Sequence, residues 1–132
     1  MIGLYAPAAA SPRPRVGSEL RLRILSYIEA NLDDPELSPR SIARANFVST
    51  RYLHKLFENE ARTVSRLIGD LRLDRCRRDL TDPELCREPV IDIAGRWGFR
   101  SASHFSRCFR AMYGRTPRDF RKQELLVARV RT

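Results

Sequence analysis

Two sets of polar side chains, 52 positions apart, have the types and spacing to read a surface of hydrogen-bond donors and acceptors. Arg51, His54 and Lys55, followed by Glu58, form the first set; Ser103, Ser106 and Arg107, followed by Arg110, form the second. Both run i, i+3, i+4, i+7, so on an α-helix each makes one stripe. Side chains of these kinds meet base edges in the major groove, where each base pair presents its own pattern of donors, acceptors and methyl groups. Any solvated helix face carries charge. Two stripes in matching register within a net-basic chain favour nucleic-acid reading over that default.

Other chemistry has little support. His54 and His104 lie in separate segments, and the chain has no Ser/His/Asp order, HExxH or glycine-rich phosphate loop. Asp33, Asp34 and Glu36 surround Pro35 in a helix-breaking turn, where acids cap or solvate. The chain therefore reads as no enzyme, with no catalytic residue. Cys76, Cys86 and Cys108 are an odd set without CxxC spacing, so neither a disulfide framework nor a zinc site follows. Reduced thiols fit best, a Cys76–Cys86 redox switch being the lesser reading. His104, beside Phe105, suits packing or phosphate contact better than metal ligation. No metal and no cofactor is called for.

Charge narrows the partner. The net charge is +9, and 42% hydrophobic residues exclude a disordered basic tail. Residues 90–132 hold 10 basic and 3 acidic side chains, so they carry +7 of that +9. Arg100, Arg110, Arg115 and Arg118 are the phosphate-contact candidates in this region. Of the 25 basic residues only Lys55 and Lys122 are lysines; arginine suits bidentate contact with phosphate and guanine, although a GC-rich genome would enrich it equally. No apolar run approaches the ~20 residues of a membrane span. Met1–Ala10 lacks the basic start of a signal peptide, which makes a cytoplasmic location the expectation.

The elements that must position these side chains are all helical. Residues 1–17, with Pro7, Pro12 and Pro14, read as a flexible leader or linker. Leu20, Ile24, Tyr27 and Ile28 predict a first helix over Ser18–Asn31. Ser38-Pro39 caps a short second helix ending near Ala45. A third over Ser49–Glu60 buries Leu53, Leu56 and Phe57. A longer helix over Thr63–Leu80 carries Val64, Leu67, Ile68 and Leu71, then Leu73, Cys76 and Leu80. Arg72 and Arg75 on it are expected to be solvated or paired with Asp70, Asp74 and Asp79. Asp82-Pro83 ends it, and a connector runs to Pro89. Val90, Ile93, Ala94 and Trp97 mark a fifth helix stopped by Gly98, with Trp97 a core anchor. Phe105, Cys108, Phe109 and Met112 mark a sixth stopped by Gly114, and Thr116-Pro117 caps a seventh containing Phe120. No alternating β-type run appears, so the fold class is all-α: about seven helices, with 18–62 and 90–132 as two units and 63–89 as linker helix and connector.

Those two units are copies of one plan. Ile42-Ala43, Val48, Leu53 and Phe57 recur as Ile93-Ala94, Phe99, Phe105 and Phe109, offset by 51 before the turn and 52 after it, with one extra residue near Ala102. A short helix with a small residue at the crossing, a tight turn and a second amphipathic helix make a helix-turn-helix. Gly98 is the permissive turn residue of the second copy; Asn46-Phe47 in the first is a weaker fit.

The segments SIARANFVSTRYLHKLF, RLDRCRRDL and VIDIAGRWGFRSASHFSRCFRAMYGRTPRDFR resemble the C-terminal DNA-binding domain of the AraC/XylS family of transcription regulators, over residues 18–122. The resemblance implies seven helices with a helix-turn-helix at each end of a linker helix, binding double-stranded DNA and contacting RNA polymerase as an activator. It places Arg51, His54 and Lys55 at base-reading positions of the first recognition helix and Ser103, Ser106 and Arg107 at those of the second. It also implies a separate N-terminal sensing or dimerisation domain, for which this chain has no room. Two departures stand out: no glycine follows the first recognition helix, where Ala61-Arg62 stands, and Phe47 occupies a turn position often held by glycine. Two recognition helices on one rigid body would enter successive major grooves about 34 Å apart. The competing class is a nonspecific RNA or nucleoid binder, which exposed aromatics would favour; the aromatics here fall on apolar stripes or at helix ends. A protein-interaction surface on the first and linker helices is a third reading.

Overall fold

A computed structural model describes residues 12–131, with side-chain surroundings from Gly17 onward. Among the described residues there are seven α-helices and no strand: α1 (Pro12–Ala30), α2 (Pro39–Ala45), α3 (Thr50–Leu56), α4 (Val64–Leu80), α5 (Val90–Arg96), α6 (Ala102–Tyr113) and α7 (Pro117–Arg131), with a 3-10 turn at Pro83–Leu85. The all-α expectation holds. α1 starts at Pro12, six residues before the predicted start, so the helix takes in the end of the expected leader; residues 1–11 of that leader lie outside the described residues.

Helix starts follow the capping residues. The Ser41 N–H donates to Ser38 Oγ at 3.1 Å and the Ser38 N–H to Ser41 Oγ at 2.9 Å, a reciprocal cap that opens α2 with Pro39 as its first residue. At α7 the Asp119 N–H donates to Thr116 Oγ1 at 3.1 Å ahead of Pro117. Asp82 accepts from the Glu84 N–H at 2.9 Å and turns the chain out of α4.

The chain folds as two compact units, one running to Asn31 and resuming over Glu36–Ser65, the other comprising Leu32–Pro35 and Arg66 onward. The boundary thus falls inside α4, so most of the expected linker helix belongs to the second unit. In the first unit α2 packs against α1 and α3, with Ile24, Ile28, Ile42, Ala43, Leu53, Phe57 and Val64 buried. In the second, Leu73, Cys76 and Leu80 of α4 form one core with Ile93 and Ala94 of α5, Phe105 and Phe109 of α6, and Phe120 of α7. Its rings stack in sequence: Phe99–Phe105 at 5.0 Å, Phe105–Phe109 at 5.7 Å and Phe109–Phe120 at 5.4 Å between centroids, geometries that add to burial. The matching positions in the first unit hold Val48, Leu53 and Phe57, a thinner aromatic core.

Candidate nucleic-acid interface

The sequence repeat is also a backbone repeat. In the first unit the Val48 N–H donates to the Ala43 carbonyl at 3.0 Å; in the second the Phe99 N–H donates to the Ala94 carbonyl at 3.1 Å. Between them the chain turns through a left-handed residue, Phe47 at φ 57° and Gly98 at φ 92°. Each recognition helix then starts on a serine: the Tyr52 N–H donates to Ser49 Oγ at 3.0 Å, and the His104 N–H to Ser101 Oγ at 3.2 Å. Val48 matches Phe99 and Ser49 matches Ser101, so the inserted residue is Arg100, two positions before Ala102. It is exposed in the turn.

Glycine reaches positive φ without a Cβ clash, whereas an L-residue there is strained. Phe47 takes the same turn as Gly98 with its ring 94% exposed, so no packing offsets the strain. Phe47 lies at a helix end, as expected of an aromatic off the apolar stripes, whereas Tyr52 on α3 departs from that expectation by standing exposed.

The two polar stripes differ in how they are presented. Arg51, His54 and Lys55 stand exposed on α3. That helix is a full turn shorter than predicted and ends at a Phe57 cap with φ −109°, which leaves Glu58 in the following turn, off the stripe. Its cap residue stays at negative φ, so the helix closes without the left-handed cap that Gly114, at φ 78°, gives α6. On the longer α6 all four predicted residues lie on one helix. Ser103, Arg107 and Arg110 are exposed; Ser106 is half-buried. None of these stripe side chains is engaged in an ion pair among the described residues, which leaves their donors available to a partner.

The phosphate candidates divide. Arg100, Arg110 and Arg118 are exposed and unpaired among the described residues. Arg115 instead bonds Gln123 Oε1 at 2.5 Å and Glu124 Oε2 at 3.4 Å and lies 4.6 Å from the Phe120 ring. It serves the α6–α7 corner, and reaching a phosphate would mean giving up those contacts.

The charged residues of α4 also depart from their expected pairing. Asp74 takes Arg77 at 2.8 Å and Arg78 at 3.2 Å. Arg75 lies 5.6 Å over the Trp97 ring, and the Trp97 indole N–H donates to Asp79 Oδ2 at 2.8 Å. Trp97 thus packs half-buried against the core of the second unit, as expected of an anchor, and is tethered by its polar edge as well. Arg72 donates to the Leu32 carbonyl at 2.9 Å and the Asp34 carbonyl at 2.7 Å, and none of the expected aspartates holds it. Its guanidinium lies under the second turn, where a Cβ on residue 98 would stand 3.1 Å from Arg72 Cζ and Nη1. Sequence spacing could not find this, because both partners are backbone carbonyls some forty residues away. Burial holds the Arg72 pKa below its ordinary value, with Asp34 opposing.

All three cysteines are free. Burial pushes the Cys76 thiol up to about 12, the opposite of what a redox-active thiol needs. Cys108 Sγ lies 3.6 Å from His104 Nε2 on α6. No group of three potential metal ligands occurs among the described residues, and no described helix is long and apolar enough to cross a membrane.

A helix-turn-helix domain model matches residues 42–123, the stretch that holds both turns. The chain belongs to the AraC/XylS family of helix-turn-helix regulators. Among its relatives, transcriptional activator NphR of a Rhodococcus species is 37% identical over 125 residues, covering 95% of this chain and 36% of NphR. Transcriptional activator RhrA of Rhizobium meliloti is 31% identical over 121 residues, 92% of this chain and 36% of RhrA. The chain thus spans about a third of the length of these relatives. The crystal structure of an AraC-type transcriptional regulator from Chromobacterium violaceum superposes with a TM-score of 0.72 at 34% identity, over 83% of this chain and 96% of that one. The AraC/XylS family is one of DNA-binding transcription regulators, not enzymes, which agrees with the missing catalytic constellation.

Proposed function

We propose that this chain recognises a specific double-stranded DNA sequence through α3 and α6, each in its own major groove, and that it thereby activates transcription. One observation carries the reading: two turns with the same backbone bonds each deliver a largely exposed polar stripe that makes no ion pair among the described residues. Arg51, His54 and Lys55 read one part of the site, and Ser103, Ser106 and Arg107 the other. Arg100, Arg110 and Arg118 hold phosphates, with Arg115 contributing less because it is already bonded. The stripes differ in chemistry, so the site is asymmetric for a single molecule, with its halves in successive grooves. Activation calls for contact with RNA polymerase, and the length of the relatives supports a separate sensing or dimerisation domain. Binding to chromosomal DNA places the protein in the cytoplasm.

Footprinting on a DNA site selected from random sequence tests this. Arg107→Ala should relax base preference in one half and Lys55→Ala in the other, each by roughly 1–3 kcal/mol of discrimination where a guanine is read. Protection of one short segment, or an even loss of preference across the site, would overturn the two-groove reading. Tighter binding to RNA than to duplex DNA would overturn it in favour of the nonspecific class.

A further inference from the structure

The first turns of α5, α6 and α7 converge, within the second unit, on an open cleft of about 620 Å³. Val90 and Ile91 form one wall, Phe105 and Pro117 the floor, and Arg118 and Arg121 enter from α7. Most of the lining is apolar, and the volume lies in the range of small-molecule sites.

The charge at this cleft is unmatched. Several arginines elsewhere find carboxylates: Arg21 with Glu60, Arg77 and Arg78 with Asp74, Arg96 with Glu88 and Arg115 with Glu124. Arg118 has no partner among the described residues. Arg121 makes one long bond, from its Nη2 to the Leu85 carbonyl at 3.3 Å, and its Nε is buried without a partner. Partial burial also holds its pKa below the ordinary value, with the charges of Cys86 and Glu88 opposing. A guanidinium that has lost water without gaining an anion is poised for a charge-assisted, bidentate bond. The adjoining apolar wall, including Ile91 at 42% exposure, suits a hydrocarbon body and has no use for a bare inorganic ion.

We propose that this cleft binds a small organic anion, a carboxylate on an apolar ring or chain, through Arg118 and Arg121, and that its occupancy opposes DNA binding. The opposition follows from the wall nearest α6, where Ser106, a base-reading position, lines the same cleft; this half of the proposal rests on the DNA reading above.

The test uses the whole chain, with naphthalene-2-carboxylate as probe and naphthalene-2-methanol as its neutral counterpart. In titrations followed by amide chemical shifts, the carboxylate should move residues 90–91, 102–106 and 116–121 in a saturable way and leave the first unit unmoved. The alcohol should bind about tenfold more weakly or worse, and Arg121→Gln and Arg118→Gln should each weaken the carboxylate by a similar factor. Both variants alter exposed or half-buried side chains, and unchanged melting confirms that they fold. Scattered shifts, equal binding of the alcohol, or unaltered binding by both variants would overturn the site. Apparent DNA affinity should fall in proportion to occupancy of the cleft. If the probe binds there while affinity for the selected duplex stays constant, the competitive half is overturned and the site stands. If no duplex is bound selectively at all, the DNA reading fails, and the titration without DNA still decides the cleft.

Discussion

Replacing Phe47 with glycine should stabilise the protein, although it removes a large hydrophobic side chain. The ring is 94% exposed, so almost no buried area is lost. What remains is backbone: Phe47 sits at φ 57°, a conformation that costs an L-residue roughly 1–2 kcal/mol. Glycine escapes that cost but gives back about 0.4–1 kcal/mol through the greater freedom of its unfolded chain. The net expectation is a gain of about 0.5–1 kcal/mol, or roughly 2–5 °C in melting temperature for a chain of this size. Phe47→Ala is the control, because it removes the ring and keeps the strained φ; it should leave stability within about 0.5 kcal/mol of the parent. The mirror experiment is Gly98→Ala. It places an L-residue at φ 92° and drives a Cβ to 3.1 Å from the bonded Arg72 guanidinium, so it should cost about 2–3 kcal/mol. Thermal and urea unfolding of the three variants, followed by far-UV circular dichroism, measure all of this. A destabilised Phe47→Gly, or an equal gain in Phe47→Ala, would refute the claim that turn strain and not the ring sets the cost.

Three further outcomes follow from the same geometry. Arg110→Ala should reduce the slope of log DNA affinity against log salt by about 0.9, the value of one phosphate contact, while Arg115→Ala should change it less and melt lower, because Arg115 is spent on Gln123 and Glu124; equal slope changes would return Arg115 to the interface. Arg72→Ala should cost about 2 kcal/mol by removing both carbonyl contacts, with faster amide exchange at Leu32–Pro35 and around Gly98, and a loss of stability without faster exchange there would refute that role. Above about pH 9 an unfolded Cys76 ionises, whereas the folded thiol keeps its proton until about 12; stability present below pH 9 is therefore lost as pH rises, by at most about 1.4 kcal/mol per unit, and Cys76→Ala should melt with a shallower decline between pH 9 and 11 than the parent if that thiol is responsible.

The sequence by itself determined the helices and their pairing into two copies of one motif. Caps and breakers act over three or four residues, so Ser38-Pro39, Thr116-Pro117, Gly98 and Gly114 could be placed from local chemistry alone. The apolar spacing of Ile42-Ala43 through Phe57, repeated from Ile93-Ala94 through Phe109, brought the polar stripes with it, because the face opposite an apolar stripe is settled by helical period. Local chemistry did not decide where α3 would stop, since with no glycine after it the end depended on how Phe57 packs. The long-range partners of charged side chains were also beyond it. Sequence placed three aspartates near Arg72, yet in the fold two backbone carbonyls from the α1–α2 turn hold it, and they come within its reach only once that turn lies beside α4. Arg115 looked like a free cation until α7 brought Gln123 and Glu124 within reach, and nothing in the spacing singled out Arg121, which only the fold places at a cleft between three helix starts. Hydrophobic period and capping are properties of neighbours in sequence; desolvation and charge pairing belong to neighbours in space, and only the tertiary structure assigns those.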